Sequence, residues 1–218
     1  MNNGAIAGVI ICIIFIIAII YVNTPPACET IWLHDAKFKT GDLICFKATD
    51  NNNSVYMMNY FTHIGIVVMV DDSPYIFEAF EVKGYTFTDS RHSKGILLTP
   101  LEHRIMCYKG HAYLKPLEHS LSPSIIAEFH EFIKFALDNM EYNYAVVMNA
   151  FAKWLGHEYN CKTNCAELVA LSLVKLGLLD YSEIKGIFNH IRFTTNITNV
   201  KNNRYLDHIR LLYESVGA

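Results

Sequence analysis

The chain has 218 residues, 52% of them hydrophobic and 18% charged, with a formal net charge of −3. That suffices for one medium globular domain and hardly two, and the charge balance gives no support for nucleic-acid binding. Six cysteines (Cys12, Cys28, Cys45, Cys107, Cys161, Cys165) are scattered through a chain too large to need a disulfide scaffold.

Residues 1–4 are a short N-terminal segment, and residues 5–22 (AIAGVIICIIFIIAIIYV) are an uncharged apolar run. Its length approaches the roughly 20 residues that span a bilayer as a helix. A cleaved signal peptide is the competing reading. Against it, the leading MNNG carries no Lys or Arg, and the run exceeds the usual apolar core of about 7–15 residues. The expectation is an uncleaved single-pass anchor, with the lipid bilayer as a partner. Lys37 and Lys39 follow the run while no basic residue precedes it, which puts the domain on the cytosolic side. The five cysteines outside the run leave at least one free thiol, which suits a reducing compartment.

Residues 23–37 read as a linker, opened by the helix-ending pair Pro25 and Pro26. A domain over 38–179 follows. Gly41-Asp42 is a turn ahead of Leu43–Phe46, a buried-strand pattern, and the Asn-rich 49–58 stretch is a loop. His63–Val70 (HIGIVVMV) is a β-branched strand with a histidine at its first position, Asp71 to Pro74 make a turn, and Tyr75–Val82 (YIFEAFEV) is the hairpin partner. Further strands are expected at Gly95–Leu98 and Ile105–Leu114. The first half is thus an antiparallel sheet or small barrel.

The period then changes. Pro123–Leu137 places Ile126, Phe129, Ile133 and Leu137 on one face of an amphipathic helix with proline in its first turn. A second helix is expected over 145–155 and a third from Asn164 to Leu176, with Thr163 or Asn164 as its N-cap. The tail, 180–218, carries a short helix at Tyr205–Tyr213. Strands first and helices afterwards argue for an α+β fold.

Cys165 stands at the mouth of the third helix. Unpaired N–H groups there and the helix dipole favour a thiolate and can hold an oxyanion. The alternative is a core cysteine, since cysteine is among the most buried residue types. A nucleophilic thiol needs a base, and the base an orienting partner. His63, held at a strand start, is the candidate base. Glu78, a charge inside the apolar strand YIFEAF, must either pair with something or face solvent; a contact with His63 across adjacent strands would satisfy both.

The order GDLICF, THIGIV, YIFEA, EYNY, NCAELV resembles the circularly permuted branch of the NlpC/P60 papain-like superfamily, the group with YiiX/YebB-like and poxviral relatives. The resemblance covers about Lys39 to Leu178. It implies a permuted papain-like fold with Cys165 as nucleophile, His63 as base and Glu78 as third polar residue. It makes Asp42 and Glu167 structural, Glu167 as a stabiliser of the helix N-terminus, and Tyr142 a wall of the substrate cleft. The implied activity is cysteine hydrolysis of an amide (peptide or isopeptide) bond without metal or cofactor. With the Asn- and Ile-rich composition, it suggests a viral membrane protein. The anchor and the tail after Asp180 depart from the family pattern.

Three other readings stay open. A lipid acyltransferase or phospholipase of LRAT-like type would act on a lipid substrate through the same thiol. A silent, membrane-tethered binding module would keep the fold without turnover. A metal site could use His157, Cys161 and Cys165, or His103, Cys107 and His111, each spaced by four, although three candidates fall short of the four ligands of a structural zinc site.

Overall fold

The structure, a computed structural model, describes residues 7, 9–14, 16, 17, 28–48, 61–80, 91–93, 95–142, 162, 163, 165–179 and 210–213. Its strands are β1 (Glu29–Trp32), β2 (Leu43–Ala48), β3 (His63–Val70), β4 (Ser73–Ala79), β5 (Arg91–Ser93), β6 (Ile96–Pro100), β7 (Gly110–Lys115), β8 (Glu141–Tyr142), β9 (Lys162–Thr163) and β10 (Arg210–Tyr213). Its helices are α1 (Leu101–Met106), α2 (Pro123–Asn139) and α3 (Cys165–Lys175). The fold is α+β, as expected.

Eight strands form one sheet in the order β1-β10-β7-β2-β3-β4-β6-β5. All neighbours are antiparallel except β1 and β10, which run parallel, so the sheet is mixed and not purely antiparallel. The β3–β4 hairpin turns through Asp71 and Asp72, both at positive φ (48° and 61°), between the paired residues Val70 and Ser73. Two consecutive positive-φ residues match the right-handed twist of the flanking strands, and Asp tolerates that conformation.

Side chains alternate across the sheet, and each face has its own core. Leu43, Cys45, Ile64, Ile66, Val68, Phe77 and Ala79 meet α2 and α3 through Phe129, Ile133, Leu168, Val169 and Leu173. Ile44, Phe46, Val67 and Ile76 meet α1 through Leu101 and Ile105. Each such buried side chain contributes about 1.5–3 kcal/mol through removal from water. The Ser122 hydroxyl caps α2, accepting from Ile125 N–H at 3.4 Å, with Pro123 opening the helix.

Two elements differ from the sequence expectation. The strand foreseen at 105–114 divides into α1 and β7: Leu101, Arg104, Ile105 and Tyr108 follow helical spacing, and only from Gly110 onward do side chains alternate along β2. The short helix foreseen at 205–213 is replaced at its end by β10, which inserts between β1 and β7. Burial of Leu212 in the α1-side core outweighs a weak local helical preference. The sheet therefore takes one strand from the stretch read as a linker and one from the tail. The helix foreseen at 145–155 and the loop at 49–58 lie outside the described residues.

The single-pass anchor at 5–22 is overturned: no helix among the described residues is long and apolar enough to cross a membrane. The described residues there run only from 7 to 17 and are helical and exposed, Ile11 and Ile14 among them. With the anchor goes the expectation of a membrane location and of a cytosolic side.

Candidate functional site

β3 and β4 carry the central pair. Extending their register from Ile66↔Phe77 places Gly65 opposite Glu78, with His63 diagonal to Glu78 on the same face. Gly65 lets Ile76 and Glu78 pack close to the backbone of β3: a Cβ there would stand 3.3 Å from Glu78 Cβ and 2.5 Å from Ile76 Cδ1. The ring reaches across, and His63 Nε2 lies 2.6 Å from Glu78 Oε2. Phe46 and Phe80 flank the imidazole with centroids at 5.5 and 5.4 Å, which fixes its plane.

The histidine also hydrogen-bonds Cys165, at the first position of α3. With Nε2 engaged by Glu78, the nitrogen turned to the thiol is Nδ1. Two backbone N–H groups, from Ile64 and Ala166, donate to the same sulfur. Ile64 has one to give because the β3–β4 register begins only at Ile66, and strand alternation turns the Ile64 N–H toward the β4 side. Cys165 packs on the α2–α3 core and His63 lies on the α1 face, so the two meet at the end of the sheet.

Glu78 is fully enclosed, with 0% of its side chain exposed, and its counter-charge is Arg104 of α1, at 2%. Arg104 Nε donates to Oε1 at 2.6 Å and Nη2 to Oε2 at 3.2 Å, a forked pair. The guanidinium carbon sits 4.7 Å from the Phe46 centroid, 4.9 Å from Phe80 and 5.2 Å from Tyr108, an aromatic box that favours the cation. Sequence reasoning missed this arginine. Its signal was there: in LEHRIMCY an Arg shares the i, i+3, i+4, i+7 stripe with Leu101, Ile105 and Tyr108, a cation on an apolar helix face.

The charges follow from these contacts. Burial alone would protonate Glu78, but Arg104, and then His63, hold it down at about 2. Burial opposes an imidazolium, yet Cys165 and Glu78 together push His63 up to about 9. Burial likewise opposes a thiolate at Cys165, and the His63 charge and hydrogen bond, with the Ile64 and Ala166 N–H groups, leave it below the ordinary thiol range. Cys45 shows the contrast: enclosed in the same core, its thiol is pushed up to about 12 by burial despite Lys115. One thiol is an inert core residue and the other is poised for ionisation.

The other residues singled out from sequence fall as follows. Asp42 is buried in the turn before β2, Oδ2 accepting from Lys39 N–H at 2.9 Å and Oδ1 from Leu117 N–H at 2.7 Å. Burial outweighs those donors and raises it to about 6. It is a tie between the start of β2 and the chain leaving β7, remote from Cys165 in its bonds. Glu167 is buried in the first turn of α3, where a carboxylate meets the positive end of the dipole. Tyr142 pairs by backbone with Thr163, two residues before Cys165; its side chain is outside the described residues. So are Asn164, His157 and Cys161. Among the described residues no group of three or more His, Cys, Asp or Glu could hold a metal; His103 of α1 and Cys107 just after it have 3.8 Å between Nε2 and Sγ and make a group of two.

No protein-family model matches this chain, and no curated protein matches it. Among solved structures it is similar to the crystal structure of the metalloprotein YiiX from Escherichia coli O157:H7. The TM-score is 0.46 at 17% sequence identity, covering 81% of this chain and 97% of that one. This is a distant likeness.

Proposed function

We propose that the chain is a papain-like cysteine hydrolase that cleaves an amide bond, peptide or isopeptide, through a Cys165 acyl-enzyme. The observation that carries this reading is the continuous chain Cys165–His63–Glu78, in which the histidine is hydrogen-bonded to the thiol and its Nε2 lies 2.6 Å from the carboxylate. A thiol beside a protonated imidazole is a nucleophile at neutral pH, unlike a buried cysteine with no such partner.

In the resting pair Cys165 is the thiolate and His63 the imidazolium. The sulfur attacks the carbonyl carbon, a C–S bond forms, and the carbonyl π electrons move to oxygen, where N–H groups at the start of α3 can receive the charge. The tetrahedral adduct collapses, the C–N bond breaks, and the His63 proton goes to the departing amine. A water then gives its proton to His63 and adds to the thioester; collapse breaks the C–S bond, releases the carboxylic acid and restores the ion pair. Glu78 stays ionised throughout, fixing the ring and stabilising its charged form.

A thiol-directed activity probe tests the reading. It should label wild-type Cys165 and not Cys165→Ala, and His63→Asn should cut labelling at neutral pH by about a hundredfold, the scale of a lost general base. Equal labelling of the wild type and Cys165→Ala would reject the nucleophile. Peptide, isopeptide and acyl-ester panels then separate amide hydrolysis from ester chemistry, and labelling without turnover on any of them points to a silent binding module.

A further inference from the structure

Resting on that reading of Cys165 and His63, we infer that Arg104 is a positioning residue, which keeps Glu78 an anion with Oε2 aimed at His63 and thereby sets the pH at which Cys165 becomes nucleophilic. Its forked hydrogen bonds go to Glu78, and it acts on the imidazole and the thiol through that carboxylate. The geometry is specific. Both Glu78 oxygens are engaged by one rigid fork, so the carboxylate cannot rotate to offer His63 a different face, and Oε2 accepts from Arg104 and faces His63 at once. The arginine is itself held by Phe46, Phe80 and Tyr108, of which Phe46 and Phe80 also flank His63. One aromatic frame therefore aligns the cation and the imidazole.

Without Arg104, the largest influence opposing burial at Glu78 is gone and the carboxyl shifts toward the neutral acid. His63 would lose an anionic partner, its imidazolium would weaken, and the Cys165 thiolate would lose the charge that stabilises it. Loss of the arginine charge disfavours the thiolate in the same direction. Among the described residues, the titratable and charged groups facing this cluster are His63 from β3, Glu78 from β4, Arg104 from α1, Tyr108 after α1 and Cys165 from α3; the Tyr108 hydroxyl is turned to the Thr62 hydroxyl at 3.3 Å. A purely structural arginine would change melting temperature and leave the thiol's pH response alone.

The test is the rate of Cys165 alkylation by iodoacetamide in the full chain, resolved by site with mass spectrometry from about pH 4 to about pH 10. The variants are Arg104→Lys, Arg104→Met and, as the reference for a lost imidazolium, His63→Asn. In the wild type the alkylation limb should lie below the ordinary thiol range of about 8.5. Arg104→Met should move it up by about one unit, a tenfold loss of rate at pH values below the wild-type limb. Arg104→Lys, keeping the charge without the fork, should move it by a smaller amount, about threefold in rate. A lowered wild-type limb that natively folded Arg104 variants leave in place overturns the role of Arg104 alone. Should Arg104→Met not fold, Arg104→Lys decides. A wild-type limb already in the ordinary range, matched by His63→Asn, instead overturns the nucleophile reading beneath it.

Discussion

Replacing Glu78 with Gln keeps the shape of the side chain and removes its charge, leaving the Arg104 guanidinium enclosed with no anion. The two groups are 0% and 2% exposed and joined by bonds of 2.6 and 3.2 Å, so water cannot take over the lost charge pairing. Removing one partner of a buried pair costs about 3–5 kcal/mol, mostly for the stranded charge. The Phe46, Phe80 and Tyr108 rings face the cation in both proteins and cancel from the difference, which leaves a loss of at least about 3 kcal/mol. For a chain of this size that is a fall in Tm of about 6–12 °C. Circular dichroism during thermal unfolding of the full chain measures it. Glu78→Gln/Arg104→Met removes both charges and should recover much of the loss, since no cation is then left stranded in the interior. Both variants should label poorly at Cys165. If Glu78→Gln melts with the wild type, or the double variant is no more stable than Glu78→Gln, the buried ion pair is not what holds this corner of the sheet.

Three further outcomes follow from the same geometry. Turnover should be bell-shaped in pH: the thiolate forms as pH rises through the lowered Cys165 value, and the acid function of His63 is lost as pH passes about 9, so activity that persists undiminished well above that value would contradict His63 as proton donor. Asp42→Ala strands the Lys39 and Leu117 N–H groups and should cost about 2 kcal/mol, or about 4–8 °C in Tm, with Cys165 labelling of the folded protein unchanged; loss of labelling in folded protein would give Asp42 more than a structural role. Gly65→Ala forces its Cβ against Ile76 and toward Glu78, costing about 1–3 kcal/mol and displacing the carboxylate from His63, so a variant with wild-type Tm and labelling would refute the close packing.

The β3–β4 hairpin was legible because its information is local. HIGIVVMV, two aspartates and YIFEA carry a strand, a turn and a strand in one stretch, and a period of two assigns each side chain to a face. The helix after Cys165 was legible for the same reason. Arg104 was not, because the 101–114 stretch holds a short helix and a strand back to back, and a single strand period read across both hides the cation on the helical stripe. β10 was illegible because four residues gain strand conformation only from partners far away in the chain. The apolar run at 5–22 misled in the opposite way: composition over a window suggests a span, but no helix among the described residues is long and apolar enough to be one.

By itself the sequence determined the α+β class, the hairpin with its histidine and a carboxylate inside an apolar strand, and a cysteine at the start of a helix, all encoded in short-range period and turn chemistry. Only the tertiary structure decided that Glu78 faces inward to His63 rather than to solvent, that an arginine from another element neutralises it, and that Cys165 rather than Cys45 is poised to ionise. The reason is electrostatic. A side chain's charge state depends on burial and on the charges within a few ångströms of it, and here those come from β3, β4, α1 and α3, whose proximity the linear chain does not display.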